Sequence, residues 1–236
     1  MSYVLIDVRP RAAFEEGHIP GVGHLDPETE LSNPGSAPAV GGRHPLPDVD
    51  QLEEAFARVG VEPFSYVLAI DDGTGWAARC WWLLRHLGHD WAGTFDLRSY
   101  VGPLMSAPLA PRRGDFKARP RNDDTITAEE ILERLDDPTL LLVDARSRER
   151  WLGDEEPIDP VAGRIPGAIN APFTESLPAG LSASDTEIVT YCGSGVTACV
   201  TAQRLVLAGR DDVRLYPGSF SEWCRRESFP IEKGTP

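Results

Sequence analysis

The chain has 236 residues, with 41% hydrophobic and 25% charged side chains, an ordinary globular composition that can bury its own core. A formal net charge of −14 excludes an extended nucleic-acid-binding face, which needs a basic surface to displace counterions, so an anionic ligand requires a local cationic pocket. No apolar run approaches the roughly 20 residues that cross a bilayer, and the opening MSYVLIDVRP has no basic segment and apolar stretch ahead of a cleavage site, so a cytoplasmic protein without membrane contact is expected.

In chain order, VLIDVRPRAAFEEGHIPGVGHL (Val4 to Leu25) reads as an apolar strand, an Asp-x-Arg, a charged helix-like stretch and a Gly-x-Ile-Pro-Gly turn. From Val67 to His89 follow a buried strand, a Gly-rich turn and a helix, on which Trp76, Cys80, Leu83, Leu84 and Leu87 share one face. The segment from Gly102 to Asp124 is rich in Pro and Arg and lacks periodicity, which marks a linker. Thr127 then caps a helix, with Glu130 completing a capping box.

The second half repeats the plan. LLVDARSRERWLGDEEPIDPVAGRIPGAINAPF (Leu141 to Phe173) again runs strand, Asp-x-Arg, charged stretch and Gly-x-Ile-Pro-Gly, and Glu187 to Gly209 again runs strand, Gly-rich turn and helix. Unalternated apolar strands separated by helical patterns predict an α/β fold built twice, each copy a mainly parallel sheet flanked by helices. The expected division is 1–110, a linker over 111–124, and 125–236, with the boundary near residue 120.

Aligning the Gly-rich turns sets Asp72 of the first half against Cys192 of the second, so only the second half holds a nucleophile there. After Cys192 come Gly193, Ser194, Gly195, Val196 and Thr197, then a helix. Glycines let successive amides turn toward one centre, and the helix adds the positive end of its dipole. Such a nest favours a thiolate and holds the negative charge of a bound donor. Cys80, Cys199 and Cys224 form no CxxC pair or zinc spacing with it and read as structural thiols, so neither metal nor cofactor is expected.

At this residue order the loop resembles the active-site loop of the rhodanese superfamily, and CGSGVT is similar to the version in 3-mercaptopyruvate sulfurtransferases. The likeness extends over nearly the whole chain, through GHIPG, AARCWWLLRHLGH, GRIPGAINAPF and LYPGSFSEW. It implies an inactive N-terminal domain and a catalytic C-terminal one. The implied reaction moves a sulfane sulfur from 3-mercaptopyruvate or thiosulfate, through a Cys192 persulfide, to cyanide, a thiol or a thioredoxin-like acceptor.

The resemblance also implies roles. Ser194 would act with a histidine, His44 of GGRHPLP, and with an acid of HLDPETEL, where Glu28 aligns and Asp26 is nearby. Arg150 stands where related enzymes grip the donor's carboxylate or sulfonate, a task suited to a guanidinium fork. Gly193, Gly195, Val196 and Thr197 would form the rest of the anion cradle. Mercaptopyruvate enzymes usually add a second arginine in a Glu-Pro-x-Pro-Arg stretch, whereas this chain has EEPIDP, with Ile158 at or near that place, and Arg164 is a substitute source of charge. The neutral loop therefore favours mercaptopyruvate, and the arginine count thiosulfate. Arg9 and Arg146, each two residues after a strand-end Asp, recur in both halves and read as architecture, while Trp81, Trp82 and Trp223 read as packing.

Two other functions compete. A phosphatase of the Cys-x5-Arg kind needs an arginine six residues after the nucleophile, where Ala198 stands. A non-catalytic docking module would not need the intact cysteine loop.

Overall fold

A computed structural model describes residues 2–33, 35, 37–107 and 111–235; the few linker positions at 108–110 and the two chain ends lie outside the described residues. The chain forms two compact units, one of Met1–Pro34 with Leu46–Arg121, the other of Gly35–Pro45 with Asn122–Pro236. The short segment 35–45, embedded in the first repeat by sequence, thus packs with the second.

The first unit contains β1 (Tyr3–Asp7), α1 (Arg11–Glu16), β2 (Gly23–His24), α2 (Pro27–Glu30), α3 (Val49–Arg58), β3 (Tyr66–Asp71), α4 (Trp76–His86) and β4 (Ala92–Asp96). Its sheet runs β2-β1-β3-β4 with every pairing parallel. β3 is apolar along most of its length because a parallel sheet hides both faces. On α4 burial extends beyond the expected stripe: Trp76, Cys80, Leu83 and Leu84 are buried, but so are Ala77, Ala78, Arg79, Trp81 and Trp82. Residues 111–121, with no helix or strand, run along this unit. Phe116 is buried edge-on to Phe56 and His89, and the amides of Arg119 and Arg121 donate to the carbonyls of Leu87 and His86.

The second unit contains α5 (Ala128–Glu133), β5 (Leu140–Asp144), α6 (Arg148–Leu152), β6 (Ile169–Asn170), β7 (Glu187–Tyr191), α7 (Ala198–Leu207), β8 (Arg214–Leu215) and α8 (Ser219–Trp223). Its sheet, β6-β5-β7-β8, is again wholly parallel. Trp223, Tyr191, Tyr216 and Phe220 centre its core. Thr127 caps α5 by accepting from the Glu130 amide, but the Glu130 carboxylate is bound by Arg214.

The Asp-x-Arg pairs are built alike in both units. Asp7 receives Arg9 through Nε and Nη2, and Arg9 Nη2 also donates to the Gly17 carbonyl; Asp144, Arg146 and Gly163 repeat this. Each pair ties a strand end to the Gly-x-Ile-Pro-Gly turn, as its recurrence predicts.

These pairs also fix the correspondence between the repeats. Asp7 lies opposite Ile70 in its ladder, and Asp144 opposite Tyr191, so the residue matching Cys192 is Asp71. The alignment on glycines, which chose Asp72, is displaced by one position because the two turns differ in where their glycines fall.

Candidate active site

Ligands of open parallel sheets gather at the carboxyl ends of the strands, and Cys192 is the first residue beyond the end of β7. The turn there directs two amides at its sulfur: Ser194 N–H at 3.5 Å and Gly195 N–H at 3.2 Å. Gly195 has φ +79°, and a β-carbon there would collide with the Pro217 carbonyl, so only glycine permits this turn. Val196 and Thr197 lead into α7, their carbonyls accepting from the amides of Cys199 and Val200. Two N–H donors beside a helix N-terminus make a concavity that stabilises negative charge on sulfur.

A second segment clamps the turn from outside. Cys192 N–H donates to Ser219 Oγ at 3.1 Å, and the carbonyls of Cys192 and Gly193 accept from the amides of Phe220 and Ser221. Ser219 has φ 53°, the one non-glycine residue with positive φ among the described residues. That unfavourable backbone is held where it fixes the amide of Cys192, as strained residues at functional sites commonly are. Sequence reasoning missed Ser219; its signal was the short LYPGSFSEW motif, read only as a family likeness.

Ser194 and His44 meet: the serine Oγ and histidine Nδ1 are 2.8 Å apart. His44 reaches it from the 35–45 segment that belongs to the second unit. Glu28 lies on α2 of the first unit, so it is not among the groups that the second unit itself assembles here. Asp26 is the N-cap of α2, its carboxylate accepting from the Thr29 amide and hydroxyl.

Arg150 flanks the loop. A β-carbon on Gly193 would stand 3.3 Å from its Nη2. Glu156 holds the guanidinium through Nε at 3.1 Å and Nη2 at 2.6 Å, and Asp159 lies 3.5 Å away. The EEPIDP stretch, which lacks the second arginine of the expected pattern, therefore contributes two carboxylates that orient arginines. Ile158 itself is largely exposed.

Arg164 does not supply the missing charge. Its side chain is fully buried, stacked over Trp151, bound to Glu232 and donating to the Gly234 carbonyl. It has become a core cation that ties the C-terminal segment to the unit. The remaining cysteines are buried, and burial pushes the thiols of Cys80 and Cys224 up. Cys199 is spent on a bond to the Gly195 carbonyl at 3.2 Å.

The rhodanese-like domain model matches residues 1–100 and 127–226. The chain belongs to the rhodanese family. It is 40% identical to a probable 3-mercaptopyruvate sulfurtransferase of Pseudomonas aeruginosa over 94% of this chain and 86% of that one. It is 33% identical to the putative thiosulfate sulfurtransferase SseB of Mycobacterium tuberculosis over 98% and 91% respectively. The crystal structure of Tum1 protein from Saccharomyces cerevisiae matches the fold with a TM-score of 0.78, at 20% identity, over 100% of this chain and 93% of that one. No helix among the described residues is long and apolar enough to cross a membrane.

Proposed function

We propose that the chain is a sulfurtransferase whose Cys192 carries sulfur as a persulfide, with 3-mercaptopyruvate as the favoured donor and thiosulfate as the alternative. The observation that carries this reading is the pair of amides directed at Cys192 Sγ from within the turn. They stabilise the attacking thiolate and, after transfer, the charge on the new Cys–S–S⁻ group. The relatives named for the two donors support the class of reaction.

In the first half-reaction the Cys192 thiolate attacks the donor's sulfur. A sulfur–sulfur bond forms and the donor's carbon–sulfur bond breaks, its electron pair leaving with the pyruvate enolate. That enolate needs a proton, and we assign its delivery to the Ser194 and His44 couple, a reading supported by the 2.8 Å between their Oγ and Nδ1. Thiosulfate instead releases sulfite, a stable anion with no such need, so the couple favours mercaptopyruvate. Arg150 holds the donor's carboxylate. In the second half-reaction a nucleophilic acceptor, cyanide or a thiol such as that of a thioredoxin-like protein, takes the outer sulfur and restores the thiolate.

Thiolate chemistry and four cysteines that form no disulfide suit a reducing compartment, and we place the protein in the cytoplasm. Mass spectrometry after incubation with each donor tests the central claim: a gain of one sulfur that Cys192→Ala abolishes is expected. A protein that gains none, or gains it equally in that variant, overturns it. Parallel steady-state assays with the two donors rank them.

A further inference from the structure

We infer that Arg43 is a second anion-binding cation of the Cys192 loop, supplied from the 35–45 segment, and that it sets the preference for anionic donors together with Arg150. The inference deepens the sulfurtransferase reading and rests on it for the identity of the donor, a small carboxylate or sulfonate.

Both guanidiniums converge on one point of the backbone. A β-carbon at position 193 would stand 2.9 Å from Arg43 Nη2 and 3.3 Å from Arg150 Nη2. A glycine there leaves room for two forks to approach side by side, a geometry suited to gripping one planar anion from two directions. Both are also tied to the same buried carboxylate: Arg43 Nη1 donates to Asp159 Oδ2, which Arg150 Nη2 approaches at 3.5 Å. Arg225 takes the other oxygen of Asp159.

The backbone of Arg43 is fixed as firmly as its side chain. Its N–H donates to Ser221 Oγ at 3.0 Å, and the Ser221 amide donates to the Gly193 carbonyl. One serine thus holds the loop and the arginine in register. Arg43, Arg146, Arg150 and Arg225 share only three carboxylates, those of Asp144, Glu156 and Asp159, so the guanidiniums beside the loop outnumber the carboxylates that hold them. In a chain of net charge −14 this cluster of guanidiniums is the local cationic feature that draws in an anion. Arg43 thereby does the work that the sequence expected of an arginine near position 158.

The test compares two alkylating probes of the same shape, iodoacetate and iodoacetamide, at Cys192 in the full chain, followed by mass spectrometry. In the parent the anionic probe gains from the arginines. In Arg43→Gln the iodoacetate to iodoacetamide rate ratio is expected to fall by about fivefold or more, with Arg43→Lys between the two. The same variant should raise KM for 3-mercaptopyruvate by roughly tenfold while kcat changes much less. An unchanged ratio overturns the inference, and so does an equal slowing of both probes, which marks Arg43 as a mere brace for Asp159. Because alkylation needs no sulfur transfer, a parent that fails to load sulfur defeats the sulfurtransferase reading while the ratio still reports on Arg43.

Discussion

Ser194 Oγ lies 2.8 Å from His44 Nδ1 across 150 residues of chain, the longest-range side-chain contact of the candidate site that sequence motifs alone brought into view. If the couple delivers the proton to a carbon leaving group, Ser194→Ala and His44→Asn should each lower kcat with 3-mercaptopyruvate by about a hundredfold. Losses with thiosulfate should be much smaller. The double variant should cost little more than either single one, since one proton path is cut once. Equal losses with both donors would count against the assignment. Glu28→Gln and Asp26→Ala separate the two candidate acids: the second should mainly lower stability, by about 1 kcal/mol for a lost N-cap, as read by urea unfolding.

If Arg150 grips the donor's anion as proposed, Arg150→Ala should raise KM for the preferred donor more than it lowers kcat, since the thiol is left untouched. Arg150→Lys should not restore the parent value, since an ammonium cannot reproduce the fork that Glu156 now holds by two bonds. Steady-state kinetics identical to the parent's would dismiss the role.

Ser219→Ala should lower both activity and stability. It leaves the buried Cys192 N–H without its acceptor, at a cost of about 1–3 kcal/mol, and keeps a side chain at positive φ. Ser219→Gly loses the same bond but relieves the backbone, so it should unfold at higher urea than Ser219→Ala while remaining as impaired in turnover. The reverse order of stabilities would show that the backbone is unstrained.

The first unit should be sensitive to acid through His89. Burial holds its imidazole below the usual value, outweighing bonds to the carbonyls of Ser65 and Trp91. The unfolded chain, titrating near about 6.5, then takes up the proton first. Stability is complete above that pH and declines as pH falls through the folded value. Thermal unfolding of His89→Gln between pH 7 and 5 should show a flatter decline than the parent; parallel curves would exclude His89 as the source.

The duplicated sheet was legible because apolar strands, Gly-rich turns and Asp-x-Arg pairs recur in one order, and these are local signals. Cys192, Ser194 and Arg150 were legible for the same reason, each sitting in a short motif. Arg43, Asp159 and Ser219 were not, because what they do depends on segments more than a hundred residues apart, or on a φ angle that no composition announces; Glu156, only six residues from the arginine it holds, was missed because an acid in a charged loop carries no motif of its own. Arg164 misled because a charge at a loop is indistinguishable in sequence from one stacked on a tryptophan. Asp72 misled by a single step because glycines mark a turn without marking where its strand ends.

Asp71 stands where the other repeat has Cys192, and its own carboxylate accepts from the amides of Gly73, Gly75 and Ala77 and from the hydroxyl of Thr74. One copy of the socket is therefore filled by a carboxylate wired into the main chain, while its twin, on the proposed reading, takes up and gives away a sulfur atom. Folding of the first copy needs no passenger. The second should stiffen on loading and slacken on delivery, so that protection of the 192–197 amides against hydrogen exchange rises and falls with each turnover.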